Sequence, residues 1–126
     1  MNFSVHDNEI ISYEVHLKNG VIIIQTISHW EKARNVTITF SGVLAHWFEH
    51  PLQGSIILDL EKRELSEFFQ YNKELLERGR LYNWPTGYKD IKELEEKLRN
   101  EKYHYYLISA SYGLNGWVLA KKVEHF

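Results

Sequence analysis

The chain has 126 residues, with 15 Lys and Arg against 17 Asp and Glu, and no cysteine. This length fits one domain spanning residues 1–126. The lack of cysteine excludes disulfides, thiolate metal ligands and cysteine nucleophiles. The near-balanced charge argues against a general nucleic-acid binder, which needs an excess of positive charge.

The two ends and the apolar runs of the chain carry no targeting or membrane signal. The N-terminal stretch lacks the basic and apolar regions of a secretory signal. The longest apolar run, 21–24, is far shorter than the roughly 20 residues of a membrane-spanning helix. We therefore expect a cytoplasmic protein that does not enter a membrane.

The first half of the sequence predicts antiparallel strands. Apolar and polar residues alternate strictly over 11–18, which indicates a strand with one buried face. Asn19-Gly20 then favours a tight type I′ turn into a returning strand over 21–27. Further strands are predicted over 36–40, 43–48 and 55–60. On the buried face of the first strand we place Ile11, Tyr13, Val15 and Leu17.

The middle of the sequence predicts two helices. Apolar residues recur at helical spacing from Leu65 to Leu76, with Gly79 placed to follow the last turn. A loop rich in aromatic rings comes next. Asp90 and Glu93 then have the spacing of a helix start, and this second helix is expected to end near residue 100.

Two more strands, 103–112 and 117–123, close the chain around the turn 113–116. Gly113 and Gly116 are expected to adopt positive φ there, with Trp117 packed against Tyr112 or a neighbour on the sheet. The order of elements predicts an α+β fold in which an antiparallel sheet, an N-terminal meander plus a C-terminal hairpin, packs with two α-helices.

One short pattern resembles a catalytic metal motif. His46 to His50 spells H-x-x-E-H, which binds zinc when one helix presents both histidines on the same face. Here the pattern follows a strand-like run and precedes Pro51, so a helix is not expected. No P-loop, nucleophile elbow or dinucleotide fingerprint is present. We predict no catalytic residues, no metal site and no cofactor.

Two groups of residues are candidates for binding a partner. The first helix carries acidic residues that could meet a basic protein or form a solvated face with pairs such as Glu74–Arg78. The aromatic loop could supply binding anchors or cover an open end of the core. The candidates are Glu64, Glu67, Glu74, Tyr82, Trp84 and Tyr88.

Three stretches, 36–43, 83–85 and 109–120, resemble small immunity proteins of Gram-positive bacteria. Such proteins, and their orphan relatives, are encoded beside polymorphic, wall-associated or contact-dependent toxins. The most specific piece of the resemblance is Ser111-Tyr112-Gly113-Leu114-Asn115-Gly116-Trp117. The resemblance implies a cytoplasmic binder that occludes the active site of a sibling toxin domain, often a nuclease, without catalysis of its own and without touching nucleic acid directly.

Two other functions stay open at this point. One is a small-ligand-binding or enzymatic domain with a pocket near His46 and His50, assisted by Glu49 and Tyr112. The other is a homo-oligomeric module that uses an edge strand or the aromatic loop as its contact. The sequence leaves the oligomeric state undetermined.

Overall fold

One antiparallel sheet organises the part of the chain that this computed structural model describes, residues 4–29 and 34–126. Within these ranges the fold is α+β, with eight strands and three helices, so the predicted number of two helices is wrong. The strand order is β4-β7-β6-β5-β1-β2-β3-β8. The strands are β1 (Glu9–His16), β2 (Val21–Ser28), β3 (Arg34–Ser41), β4 (Ala45–Glu49), β5 (Ile56–Arg63), β6 (His104–Tyr112), β7 (Asn115–Ala120) and β8 (Lys122–His125). The helices are α1 (Leu65–Tyr71), α2 (Lys73–Arg80) and α3 (Ile91–Asn100).

The sheet curls until its two ends meet. β7 and β8 are successive segments of one bent strand, yet they stand near opposite ends of the strand order. They run antiparallel to β4 and β3, which are likewise two segments of one bent strand. At the bend the backbone N–H of Lys121 donates to the carbonyl oxygens of Ser41 (3.1 Å) and Gly42 (3.2 Å). The single predicted strand over 117–123 is therefore divided at Lys121.

The curled sheet has an apolar interior and an apolar outer layer. Tyr106, Ile108 and Val118 point inward, into a buried cluster with residues of β1, β2, β3 and β5. Their neighbours Tyr105 and Trp117 point outward, into a second buried cluster shared with the three helices. The hairpin β6–β7 is therefore buried on both faces, which the period of two alone does not reveal.

β1 departs from its predicted pattern because of a bulge. The register shifts between Ile10, which pairs with Thr26, and Ser12, which pairs with Gln25. The extra residue, Ile11, is left exposed on the surface rather than buried. Beyond the bulge, Tyr13 and Val15 lie on the interior face opposite Ile24 and Ile22, but Tyr13 stays exposed and Val15 half-buried, so the predicted burial is confirmed for Val15 in part and is wrong for Tyr13.

The turn after β1 is longer than the two residues predicted. Four residues, 17–20, connect His16 to its partner Val21, and Leu17 is exposed rather than buried. Among these four, Gly20 is the residue with positive φ, at 64°. A type I′ turn needs positive φ at both central residues, so that prediction is wrong.

The helical region also differs from its prediction. The helix stripe is interrupted at Asn72, whose φ of −122° and ψ of 25° end α1 and begin α2. Gly79 lies inside α2 rather than after it. The predicted start of the last helix is confirmed, because the Asp90 side chain accepts a hydrogen bond of 2.8 Å from the Glu93 N–H.

The two glycines of the C-terminal turn serve different purposes. Gly113 has a φ of 86°, as predicted. Gly116 instead pairs with Phe48 in the sheet, and a β-carbon there would overlap the carbonyl oxygen of Trp47. The prediction of positive φ at Gly116 is wrong; glycine is needed at this position because β4 approaches closely.

Substitution Gly79→Ala is expected to destabilise the protein. A β-carbon at position 79 would lie 2.5 Å from the Trp84 ring and 2.9 Å from the Trp84 carbonyl oxygen. Forcing these groups apart costs about 1–3 kcal/mol, which urea denaturation would measure. Gly87→Ala is the matched control, because its nearest neighbour is 3.9 Å away. Equal stability of the two variants would contradict the packing described here.

Candidate functional site

β4 lies at the end of the strand order and presents different side chains to two sides of the sheet. It pairs with β7 along one edge, and no strand within residues 4–29 and 34–126 pairs with its other edge. His46 and Phe48 lie on the interior face, opposite Val118 and Gly116. Trp47 lies opposite Trp117 on the face that the helices cover.

A group of aromatic rings supports the helix-covered face of β4. The Trp117 ring is the centre of this group, with its centroid 5.0 Å from that of Phe68, 5.8 Å from Trp84 and 6.3 Å from Tyr105. Trp47 joins this group through Trp84, because the centroids of the two rings are 6.3 Å apart. Of the two expected contacts of Trp117, the one with a neighbour on the sheet is confirmed, since Tyr105 lies on the adjacent β6. Several of these contacts are edge-to-face pairs that aromatic rings prefer.

Asn72 joins the break between α1 and α2 to the aromatic group. Its side-chain oxygen accepts a hydrogen bond of 3.1 Å from the indole N–H of Trp117. Its side-chain nitrogen donates one of 2.9 Å to the carbonyl oxygen of Phe68, in the last turn of α1. Both ends of the amide are thus satisfied, and the helix break is held at a fixed position over the sheet.

A groove of about 530 Å³ opens beside this break. Tyr71 is 68% exposed and Trp47 is 38% exposed, so both rings are accessible from solvent. The groove carries charges of both signs on its rim. We name it the β4–helix groove, and its principal lining residues are Trp47, Glu49, Tyr71, Lys73, Glu74 and Arg78.

The predicted aromatic anchors divide into packed and exposed residues. Trp84 is half-buried in the aromatic group, and the Tyr88 hydroxyl donates a hydrogen bond of 3.3 Å to the carbonyl oxygen of Leu76. These two rings therefore contribute to the core, whereas Tyr82 is 81% exposed. Of the three, Tyr82 offers an accessible ring to a partner.

The predicted acidic residues also occupy different surroundings. Glu74 lines the β4–helix groove. Glu67 accepts two hydrogen bonds from the Arg63 guanidinium, at 3.0 and 2.7 Å, and these bonds lower the pKa of its carboxyl group. Glu64 caps α1 in a reciprocal arrangement with Glu67 and faces a smaller cleft beside Lys62. The structure brings one of the three acidic residues to the groove.

The residues of the alternative ligand pocket do not form a common site. His46 is half-buried, with its ring centroid 5.1 Å from that of Phe48, and burial lowers the pKa of its imidazole. His50 follows the end of β4, is exposed and has a φ of 57°. Glu49 lines the β4–helix groove instead. Within the described residues, no group of three or more metal-ligating side chains is placed to hold an ion.

No protein-family model, curated protein or solved structure matched the chain. The longest helix described, α3, has ten residues, and none in the described ranges has the length and apolar character needed to cross a membrane.

Three residues of this site were not singled out by the sequence. Trp47 lay inside the rejected H-x-x-E-H pattern, and Tyr71 and Asn72 lay within what the spacing presented as one continuous helix. The polar Asn72 at an apolar position of the stripe was the available signal, since asparagine favours helix ends over helix interiors.

Substitution Asn72→Ala is expected to lower the free energy of unfolding by about 1–3 kcal/mol, because it leaves the Trp117 N–H without its acceptor. Urea denaturation followed by tryptophan fluorescence would measure the change. Gln70→Ala, at an exposed position two residues before Asn72, is the matched control. If the two variants unfold at the same urea concentration, Asn72 does not hold the helix break in place.

The stability of the protein is expected to depend on the protonation of His46. Because burial lowers its pKa from the usual 6.5, the unfolded chain binds this proton more readily than the folded protein. The free energy of unfolding is therefore not reduced by this histidine above pH 6.5, and it decreases as the pH falls below that value. Thermal unfolding between about pH 7.5 and about pH 5 should show a smaller loss for His46→Gln than for the wild type. The control is His50→Gln, at an exposed position just after β4; equal losses in the two variants would contradict the role assigned to His46.

Proposed function

We propose that this chain is an immunity-type protein that binds one cognate bacterial toxin domain and neutralises it by occluding its active site. The proposed toxin is a nuclease, the proposed compartment is the cytoplasm, and the protein turns over no substrate itself. Support comes from the resemblance of the three sequence stretches and from the character of the β4–helix groove, which fits a protein surface better than a small molecule.

The observation that carries the proposal is the pair of accessible rings in this groove. Tryptophan and tyrosine contribute disproportionately to binding energy at protein interfaces. Trp47 and Tyr71 are exposed on well-packed elements, since β4 pairs with β7 and the helix break is tied to Trp117 through Asn72. A preorganised surface of this kind loses little conformational entropy when a partner binds.

The groove carries two carboxylates and two cationic side chains, so a partner has to match both signs. Glu49 and Glu74 line the groove, and Tyr82 and Glu64 are exposed elsewhere on the helical side of the protein. Nucleases that bind phosphate carry excess positive charge, so carboxylates at the contact would steer association and set its specificity. Lys73 and Arg78, which share the groove, would select against partners with positive charge at the wrong positions.

The test is co-expression with the C-terminal domain of the toxin encoded next to this gene. Rescue of growth and formation of a one-to-one complex are expected. Tyr71→Ala should weaken the complex by about 2 kcal/mol or more, as measured by calorimetry, while Phe126→Ala, an exposed aromatic residue beyond β8, should leave affinity unchanged. Failure of rescue would refute the proposal for that toxin. If Tyr71→Ala leaves the affinity of the complex unchanged, the partner binds at a surface other than the groove.

A further inference from the structure

The two strands β1 and β4 each have an edge without a strand partner. β1 pairs with β2 as far as His16, but on its other side its one paired residue is Glu9, opposite Ile56 of β5. The five residues from Ser12 to His16 have no described partner strand on that side, nor have the five residues of β4 on the side away from β7. Unpaired strand edges present free backbone N–H and C=O groups.

The interior of the sheet is least well covered between these two strands. Many inward side chains of the other strands are fully buried, as at Ile24 and Phe40. Along β1, by contrast, Tyr13 is 39% exposed and Val15 is half-buried. The ring centroids of Tyr13 and Phe48 are 5.3 Å apart, so side chains of β1 and β4 meet here. We call this region the β1–β4 seam.

Two openings extend along the β1–β4 seam. A groove of about 530 Å³ lies between residues 9–13 of β1 and the loop 51–55. A smaller cavity of about 60 Å³ lies between residues 15–17 and 43–46. The larger opening borders Ser12 and Tyr13, and the smaller one borders Val15 and His16. Five residues of strand extend roughly 17 Å, which defines the size of the segment that could lie there.

We propose that one extended segment of the toxin partner adds to the free edge of β1 as a further strand of the sheet. This inference rests on the proposed function and names the element of the partner that binds. Backbone hydrogen bonds to Ser12–His16 would provide affinity, as in other cases of strand addition. Alternate side chains of the segment are apolar, because those facing inward cover Tyr13 and Val15.

The charges on the outer face of β1 determine which side chains are favoured on the outward side of the inserted segment. Glu14 lies on the outer face of β1, within 3.0 Å of His16, and Glu9 lines the groove at the other end of the seam. A lysine or arginine at an outward position of the segment complements these carboxylates, in agreement with a basic toxin. The bulge at Ile11 and the charged outer face disfavour pairing with unrelated strands, so the edge is suited to one specific partner.

Amide hydrogen exchange of the wild-type chain, alone and in complex with the co-expressed toxin domain, tests the insertion. Exchange within Ser12–His16 is expected to slow by about tenfold or more in the complex. Strand β8, which pairs with β3 at the far end of the described strand order, is the internal control and should keep its exchange rates. A complex that leaves Ser12–His16 unprotected would overturn the strand insertion while the proposed function stands. Absence of any complex would overturn both.

A pair of variants provides an independent measurement. Tyr13→Lys places a charge where the segment covers the seam and is expected to weaken the complex about 100-fold, or about 2.7 kcal/mol. Phe126→Lys, the control, adds the same charge at an exposed aromatic residue distant in the strand order and should bind like the wild type. Wild-type affinity of a folded Tyr13→Lys would refute the insertion. If that variant fails to fold, the exchange measurement on the wild type decides.

Discussion

The burial of β6 and β7 on both faces is the constraint on which the other features depend. Inward residues such as Tyr106 and Val118 fill the curled sheet, while Tyr105 and Trp117 form the floor on which the helices pack. A slip of one residue in this hairpin would exchange the two sets of side chains, so both apolar layers enforce the same register. β4 takes its position from β7, and the β4–helix groove takes its position from β4.

Local patterns were sufficient to predict most strands and the final helix, because alternation and capping are properties of neighbouring residues. They failed where a distant contact determines the backbone. Ile11 belongs to an alternating run, but a bulge in the pairing with β2 turns it outward. Asn72 sits at an apolar position of a helical stripe, but its bonds to Trp117 and Phe68 stabilise a break. The closure of the sheet at Lys121 depends on β3, which lies far away in the sequence.

The candidate site was harder to predict than the fold because exposure is a property of the tertiary structure. Trp84 was predicted in the aromatic loop and Tyr71 inside a helix, and neither position reveals which ring is exposed. The first is half-buried against Trp117, and the second stands in solvent beside a groove. Likewise Glu67 and Glu74 belong to the same helical region, yet Arg63 holds one and the other lines the groove.

The bent strand formed by β7 and β8 determines when, during synthesis of the chain, the fold can be completed. Its last segment pairs with β3 through Ser41 and Lys122, so the interior around β1–β3 cannot be closed until a stretch much later in the chain has been synthesised. Such non-local pairing folds slowly compared with local hairpins. The segment after Lys121 is therefore among the last elements to take its place, and the register of β3 on its outer edge is fixed only when that segment arrives.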